Sequence, residues 1–221
     1  MCIRDRRADD NGVKNLLIMI DGEGGLAEPD RAEQKTAIEN HFKWVDAAKT
    51  LGCHSIRVNS FGKGDSEDVK KAAIIGLSTL ATYAKTMDLN VIVENHGGYS
   101  SDGAWLSDVM LRINMPNCGT LPDFGNFCIR RDGGKPWEGK CVEEYDKYQG
   151  VKDLMPFAKA VSAKSHAFDS DGNETNIDYK KMIQIVKDAG FNGWIGIEYE
   201  GSELSEDEGI KATKALLEKV I

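Results

Sequence analysis

Apolar residues follow two alternating spacings along this chain, and the alternation predicts strands and helices in turn. Six short runs are rich in apolar and β-branched residues, which is typical of strands buried on both faces of a parallel sheet. Val91 to Val93 is the most uniform of these runs. The predicted strands span residues 16–20, 55–59, 91–93, 119–121, 160–164 and 194–197.

The segments between the strands repeat apolar residues at steps of three and four, which predicts helices with one buried face. Gly52 follows the first long segment, and Ser205 with Glu208 forms a capping-box pattern before the last one. Residues 128–143 are long and polar, which indicates a surface loop. The predicted helices span residues 30–51, 67–87 and 145–159, with shorter ones around residues 106–113, after Asp178 and after Ser205.

Six alternations of strand and helix require a parallel sheet with right-handed crossovers, either an open doubly wound sheet or most of a (β/α)8 TIM barrel. No glycine-rich nucleotide motif follows the first strand, so the commonest open-sheet site has no support. Polar or charged residues end all six strands, and only a barrel gathers all these ends around one axis. They are Asp21, Arg57 with Asn59, Glu94, Asp123, Lys164 and Glu198. We therefore predict an α/β fold, a (β/α)8 TIM barrel that is incomplete and has six β/α units.

Composition narrows the classes of partner. Of 221 residues, 41% are hydrophobic and 29% are charged, as in ordinary globular proteins. The formal net charge is -8 and no basic patch offsets it, which argues against nucleic acid or an anionic membrane as a partner. No apolar run approaches the roughly 20 residues that a membrane-spanning helix needs.

The cysteines are dispersed and form no Cys-x-x-Cys pair. This pattern favours small buried thiols in a reducing compartment over a disulfide framework, and it favours a cytoplasmic location. The five are Cys2, Cys53, Cys118, Cys128 and Cys141.

The first 14 residues differ from the rest of the chain. Residues 1–10 have neither apolar periodicity nor the apolar core of a signal peptide, and they resemble translated adapter sequence. We interpret residues 1–14 as a non-native or disordered leader and residues 15–221 as a partial barrel domain. On this interpretation the natural N-terminus is missing with any targeting signal, so the compartment stays open.

Three strand ends each deliver a carboxylate, from Glu94, Asp123 and Glu198. In a barrel these ends meet at one mouth, where the three carboxylates could bind one hard divalent cation. The alternative is that each acid caps a neighbouring helix or faces solvent. Three acids in the same position relative to their strands favour the shared site.

Three segments carry a resemblance to a known family. They are Val91–Gly98, Leu121–Phe127 and Ile195–Gly201, with the sequences VIVENHGG, LPDFGNF and IGIEYEG. These segments resemble the sugar phosphate isomerase/epimerase family, whose members are xylose isomerase-like (β/α)8 TIM barrels. The resemblance covers about residues 15–221 and matches barrel strands three to eight. It implies that strands one and two are absent.

The resemblance implies a divalent metal cofactor, with Mn²⁺ foremost and Mg²⁺, Co²⁺ or Zn²⁺ as alternatives. Glu94, Asp123 and Glu198 match three of the family's metal ligands. Ser162 stands where the family has a histidine ligand on its seventh strand. His166 lies four residues later and could replace that ligand only if the loop turns back.

The resemblance also implies catalytic roles. Glu94 and Glu198 would form the acid/base pair, one removing a proton next to a carbonyl and the other returning it through an enediolate. Lys164 is a third catalytic candidate. It could neutralise developing charge or a substrate phosphate, or it could pair with a nearby acid.

Four further residues are candidates for substrate contacts. Arg57 and Asn59 could contact hydroxyls, and strand-end packing is an equal alternative for both. His96 lies two residues past Glu94 and faces the same side of an extended strand, as a substrate contact or as a structural histidine. Asn126 replaces a second histidine that the family has after the strand-six aspartate.

The sequence therefore favours a divalent-metal-dependent sugar or sugar-phosphate isomerase or epimerase that acts on a small-molecule sugar or polyol. A sugar lyase or dehydratase would use the same groups, and a metal-free carbohydrate-binding barrel is the non-catalytic alternative. An abasic-site endonuclease is less favoured, because it needs a histidine-rich zinc site and a basic groove. Neither nucleic acid nor a membrane is expected as a partner, and a homo-oligomer is compatible with the sequence.

Overall fold

The computed structural model describes residues 3–133 and 137–221. The chain forms two compact units. The first unit runs to Glu94 and also contains Ser107–Gly119. The second unit contains Asn95–Leu106 and Thr120–Ile221.

Helices and strands alternate along most of the chain. The helices are α1 Ile3–Asp10, α2 Arg31–Thr50, α3 Ser66–Lys85, α4 Gly103–Ile113, α5 Lys147–Leu154, α6 Tyr179–Asp188 and α7 Glu206–Val220. The strands are β1 Leu17–Met19, β2 Ser55–Val58, β3 Asn90–Glu94, β4 Cys118–Leu121, β5 Cys128–Arg131, β6 Cys141–Glu144, β7 Val161–Ser165 and β8 Ile195–Tyr199. Short 3-10 helices cover Gly98–Ser101 and Met155–Phe157.

The strands that alternate with helices pair in parallel and in chain order. β1 pairs with β2 and β2 with β3, and this sheet has the order β1-β2-β3-β4. β7 pairs with β8 in the same way, and isolated parallel bridges join Thr120 to Ala158 and Asp123 to Ser162. Parallel neighbours that follow the chain order are the pattern of a β/α barrel, so the predicted fold class is confirmed.

Helices α2 and α3 start and stop close to where the sequence signals predict. Asp30 caps α2, because its carboxylate accepts the backbone N–H groups of Ala32 and Glu33 at 2.9 Å. Gly52 follows α2 with a φ of +73°, a left-handed conformation that glycine adopts at low cost. Apolar residues at steps of three and four are buried in both helices: Ala37, Ile38, Val45 and Ala48 in α2, and Val69, Ala73, Leu77, Leu80 and Ala84 in α3.

The core of the second unit fixes the strand that carries Lys164. Phe124, Val161 and Met182 belong to one buried apolar cluster there. The Tyr179 hydroxyl, at the start of α6, donates to the carbonyl oxygen of Lys164 at 2.7 Å. This hydrogen bond ties α6 to β7 and limits the freedom of the backbone from which the Lys164 side chain leaves.

Residues 128–143 do not form the surface loop that the sequence predicted. Their described part forms an antiparallel hairpin of β5 and β6, and residues 134–136 lie outside the described residues. Arg130 and Glu143 form an ion pair at 3.1 Å across this hairpin. The prediction was wrong because an alternation of apolar and polar residues marks only strands with one buried face, and every residue of β6 is exposed.

The cysteines require a second correction. Cys128 and Cys141 form a disulfide that joins β5 to β6, with their Cα atoms 5.8 Å apart. Cys53 and Cys118 are buried, as predicted. Sequence spacing missed the pair because the two cysteines become neighbours only through the antiparallel register of the hairpin. The disulfide removes the cysteine argument for a reducing compartment.

We expect peptide mapping under non-reducing conditions to find Cys128 linked to Cys141. The bond restricts the open states of the hairpin, so its reduction is expected to raise amide hydrogen exchange in β5 and β6 about tenfold or more. Exchange in α6 serves as the internal control and is expected to stay unchanged. Free thiols at both positions in protein purified without reductant would contradict the assignment.

The helix predicted over residues 145–159 is shorter in the structure. α5 ends at Leu154, and the 3-10 helix Met155–Phe157 follows it directly. Pro156 explains the change, because proline lacks an N–H group and its ring clashes with the preceding helical turn.

Helix α1 lies inside the stretch that we interpret as a leader. It does not test the origin of that stretch, so the domain boundary at residue 15 stays a prediction, as does the absence of two upstream strands. Among residues 3–133 and 137–221, no helix combines the length and the apolar character that crossing a membrane requires.

Candidate functional site

Arg57 and Glu94 form a buried ion pair in the first unit. Arg57 lies in β2 and Glu94 ends the neighbouring strand β3, so their side chains leave adjacent strands. Arg57 Nε lies 2.7 Å from Glu94 Oε2, and the two side chains are only 4% and 0% exposed. Arg57 thus supplies the counter-charge that a buried carboxylate needs.

Asp21 holds the other side of Arg57. Arg57 Nη1 donates to Asp21 Oδ1 at 2.7 Å, and Asn59 Nδ2 donates to the same oxygen at 2.7 Å. Arg57 is therefore clamped between two carboxylates, and polar residues from the ends of β1, β2 and β3 share one network. The structure thus brings together the polar ends of these three strands.

Asp123 is fully buried, and its two carboxylate oxygens differ. Oδ1 accepts the N–H groups of Gly125 at 2.8 Å and Asn126 at 2.9 Å, whereas Oδ2 has no hydrogen-bond partner among the described residues. The Asn95 side chain clamps the backbone of Asp123 by accepting its N–H at 2.7 Å and donating to its carbonyl oxygen at 3.1 Å. The turn therefore fixes one carboxylate oxygen and leaves the other for a ligand.

Burial raises the pKa of Asp123 to about 7, and the negative charge of Glu198 acts in the same direction. The positive charge of Lys164 and the N–H group of Gly125 oppose this rise. A carboxyl group with such a pKa is partly protonated near neutral pH. A cation beside Oδ2 would favour the ionised form, which is the form that binds metal.

Two residues of β7 hold Glu198. Ser162 Oγ donates to Glu198 Oε2 at 2.8 Å, and Lys164 Nζ donates to Oε1 at 2.9 Å. Residues two apart on a strand project to the same face, and the register places Lys164 opposite Glu198. Ser162 also faces Asp123, but its single proton goes to Glu198.

Lys164 is a buried cation in the second unit. Its side chain is 1% exposed and lies 2.9 Å from both Glu198 and Glu200. Burial alone would lower the pKa of Lys164, but Asp123, Glu198 and Glu200 outweigh it and raise this pKa above its ordinary value. The ammonium group is therefore charged at neutral pH.

In the second unit, Asp123 and Glu198 each offer one carboxylate oxygen, and these two oxygens lie within 4.8 Å of each other. In the first unit, the buried Glu94 offers a further carboxylate. Oxygen ligands, one of them buried and without a donor, fit the preference of hard divalent cations.

The family of the chain follows from its sequence. The family model of the xylose isomerase-like TIM barrel matches residues 4–220. The chain belongs to the xylose isomerase-like TIM barrel family. This confirms the fold and the family expected from the three sequence segments. No curated protein matches the chain at a significant level.

Solved structures share the fold of this xylose isomerase-like chain at low sequence identity. The 3-keto-D-glucoside 4-epimerase YcjR from E. coli has a TM-score of 0.73 at 11% identity, over 97% of this chain and 82% of that one. A D-tagatose 3-epimerase-like protein has a TM-score of 0.75 at 15% identity, over 98% and 80%. The IOLI protein with a bound zinc atom has a TM-score of 0.73 at 16% identity, over 99% and 81%. At these identities the likeness shows the fold alone.

Two predicted substrate contacts lie close to the ends of β3 and β4. The His96 ring packs against Trp137 with 4.6 Å between the ring centroids. The backbone N–H of Asn126 donates to Asp123, and its carbonyl oxygen accepts the Ser101 hydroxyl at 2.7 Å. Their roles as substrate contacts stay predictions.

His166 is not among the candidate metal ligands of the structure, and its backbone N–H donates to Glu174 at 3.2 Å. Its role as a further metal ligand stays a prediction. Two residues that sequence reasoning missed are Asn95, which clamps Asp123, and Glu200, which pairs with Lys164. Alternation along β8 could have revealed Glu200, because it follows Glu198 by two positions.

A cavity of about 380 Å³ lies in the first unit beside the Arg57 network. Asp21 and Asn59 are part of its wall, together with His41. The His41 ring is only 2% exposed, and its Nδ1 lies 2.7 Å from the carbonyl oxygen of Ala37. A carbonyl can only accept, so Nδ1 carries the proton. Burial lowers the pKa of His41, which keeps the ring neutral.

The stability of the protein is expected to decrease as the pH falls below 6.5, and His41 contributes to this decrease. The folded-state pKa of His41 lies below the ordinary value, so at mildly acidic pH the unfolded chain binds a proton at His41 that the native state does not bind. The contribution is complete above 6.5 and is lost as the pH falls towards the folded-state pKa. Urea unfolding between about pH 5 and 8 is expected to show a smaller pH slope in His41→Gln. An equal slope in both proteins would contradict this account.

Proposed function

We propose that this chain is a divalent-metal-dependent isomerase or epimerase of sugars, working by proton transfer through an enediolate. The carboxylates of Asp123 and Glu198 carry the proposal, because they lie within 4.8 Å of each other and Asp123 Oδ2 is buried without a donor. A buried carboxylate oxygen in this state calls for a positive charge. The epimerase and the zinc-containing structure among the fold neighbours support the same function.

Glu94, Asp123 and Glu198 would hold the cation. This group contains no nitrogen or sulfur, since Ser162 replaces the histidine that the family resemblance led us to expect. We therefore favour Mn²⁺ or Mg²⁺ over Zn²⁺, whose sites usually include nitrogen or sulfur ligands. When bound, such an ion supplies electrostatic stabilisation of negative charge on the substrate oxygens.

Glu94 and Glu198 would move the proton. One carboxylate removes a proton from the carbon next to the carbonyl, and the electron pair of the broken C–H bond spreads onto the carbonyl oxygen as an enediolate. The other, as a carboxylic acid, returns a proton to carbon. Return to the opposite face of the same carbon gives the epimer, and return to the neighbouring carbon gives the isomer. With two separate carboxylates, one can remove the proton and the other can return it.

Arg57 and Lys164 would set the charge of this pair. Arg57 lies 2.7 Å from Glu94, and Lys164 lies 2.9 Å from Glu198. Each cation favours the ionised form of the carboxylate beside it, which is the form that acts as the base, while the glutamate that returns the proton has to start as a carboxylic acid. The same cations stabilise the anionic enediolate, because fixed charges in a dry site need no reorganisation during the reaction.

A metal-free carbohydrate-binding barrel is the second candidate, and one observation favours it. Arg57 and Lys164 already supply counter-charges to Glu94 and Glu198. Under this alternative the two cations replace the metal altogether, and the carboxylates bind hydroxyl groups without chemistry.

Deuterium exchange tests the proposed reaction against this alternative. The full chain with Mn²⁺ is incubated in D₂O with D-fructose, D-tagatose or D-psicose, and ¹H NMR follows the hydrogens next to the carbonyl carbon. An enediolate mechanism predicts deuterium at these carbons, with loss of exchange after EDTA treatment and in Glu198→Gln. Saturable binding of these sugars without exchange, equal with and without Mn²⁺, would favour the metal-free barrel.

A further inference from the structure

The cavity of about 380 Å³ in the first unit has the size of a small-molecule site, since such sites span about 300–1,000 Å³. The residues that line it include Asp21, Glu23, Asn59, His41 and Phe61. An aromatic face combined with several polar groups is typical of carbohydrate recognition.

Two of these side chains offer hydrogen-bond acceptors. Glu23 uses Oε1 for Trp44 Nε1 at 2.7 Å and for Lys43 at 2.8 Å, and its Oε2 has no partner within the described part of the chain. The hydrogen bond from Lys43 holds the pKa of Glu23 below its ordinary value, so the carboxylate stays ionised. The His41 ring is buried and neutral with its proton on Nδ1, so Nε2 is an acceptor.

The nearby cations are already paired with carboxylates. Arg57 lies 2.7 Å from both Asp21 and Glu94, and Lys43 lies 2.8 Å from Glu23. A phosphate group needs unpaired arginine, lysine or backbone N–H donors, and it would be repelled by the two carboxylates in the wall. Hydroxyl groups, by contrast, donate well to carboxylate and imidazole acceptors.

Two glycines keep the cavity wall in place. Gly24 has a φ of +95°, and a Cβ there would lie 2.9 Å from the Cβ of Ala37 in α2. A Cβ on Gly25 would lie 2.5 Å from the carbonyl oxygen of Phe61. The loop after β1 can pack against α2 and the Phe61 backbone only without side chains at these two positions.

We propose that this cavity binds the unphosphorylated, hydroxyl-bearing end of the substrate, so that the substrate is a neutral sugar and not a sugar phosphate. The inference rests on the proposed function and narrows its substrate class. Asp21 and Asn59 connect the cavity wall to Arg57, which pairs with the proposed acid/base residue Glu94. On this proposal, a substrate that reacts at Glu94 places its far end against Glu23 and His41.

Matched sugars test this proposal by binding alone. Dissociation constants of D-fructose and D-fructose 6-phosphate are measured for the full chain by ligand-observed NMR in EDTA, which removes any metal that phosphate could chelate. The proposal predicts at least about tenfold tighter binding of D-fructose. Glu23→Gln removes one wall charge and is expected to narrow this ratio about threefold or more, chiefly by improving binding of the phosphate. Asp68→Asn removes an exposed charge outside the cavity and is expected to leave the ratio unchanged.

Equal or tighter binding of D-fructose 6-phosphate would overturn the proposal, as would an unchanged ratio in Glu23→Gln or no saturable binding of D-fructose. Deuterium exchange with Mn²⁺ separates this failure from a failure of the proposed reaction. Exchange into D-fructose 6-phosphate but not D-fructose would keep the reaction and overturn the neutral substrate. The predicted binding ratio without exchange into any sugar would keep the neutral ligand and overturn the reaction.

Discussion

Asp123→Asn is expected to lower Mn²⁺ affinity by about 100-fold or more and to abolish deuterium exchange into substrate, while the fold persists. Asparagine keeps an oxygen that can accept the N–H groups of Gly125 and Asn126, so the turn survives. It replaces the carboxylate oxygen that has no donor with a neutral amide NH₂ group, which cannot bind a cation. Isothermal titration with Mn²⁺ after EDTA treatment and dialysis measures the change.

Asp169→Asn is the matched control. Asp169 also accepts two backbone N–H groups through Oδ1, from Asp171 and Asn173 at 2.9 Å. However, Asp169 is exposed and is not one of the candidate metal ligands. It is expected to keep both Mn²⁺ affinity and exchange activity. Equal Mn²⁺ affinity in Asp123→Asn and Asp169→Asn would show that Asp123 is not a ligand.

Lys164→Met is expected to lower the free energy of unfolding by about 3–5 kcal/mol, the usual cost of removing one partner from a buried charge pair. Methionine has a similar length but leaves Asp123 and Glu198 without their shared counter-charge. Urea unfolding at pH 8 measures the cost. The folded-state pKa of Lys164 is raised, so its stabilising contribution is complete below the unfolded value of 10.5 and is lost only at higher pH.

Lys214→Met serves as the control for Lys164→Met. Lys214 pairs with Glu218 at 3.6 Å on the surface, where both side chains are about two-thirds exposed, so its loss is expected to cost no more than about 1 kcal/mol. The double variant Lys164→Met/Glu198→Gln is expected to recover part of the stability by removing one uncompensated charge. An equal loss in Lys164→Met and Lys214→Met would contradict the electrostatic role of Lys164.

The positions of the acids could be predicted from the sequence, because parallel strands place their carboxyl ends at one edge. Glu94, Asp123 and Glu198 each follow an apolar run, and this local signal does not depend on packing. The helix ends could also be predicted from the sequence, because the Asp30 cap, Gly52 and the Ser205–Glu208 capping box each depend on interactions within a few residues.

The sequence could not show how these acids are paired, because the pairs join residues far apart in the chain. Arg57 meets both Asp21 and Glu94, and Ser162 donates to Glu198 36 positions away. The family resemblance places Ser162 where a histidine ligand is expected, and in the structure its hydroxyl donates to the Glu198 carboxylate. The β5–β6 hairpin escaped prediction for a related reason, since it has little buried face to create a pattern.

Anomalous diffraction from crystals grown with Mn²⁺ tests most directly whether Glu94, Asp123 and Glu198 hold one cation. The account predicts one strong anomalous peak with a carboxylate oxygen of each residue about 2.0–2.6 Å away. Asp123 Oδ2 is expected to be among these oxygens. No peak at these residues at millimolar Mn²⁺, or a peak that contacts only one of the three, would contradict the shared site and with it the proposed reaction.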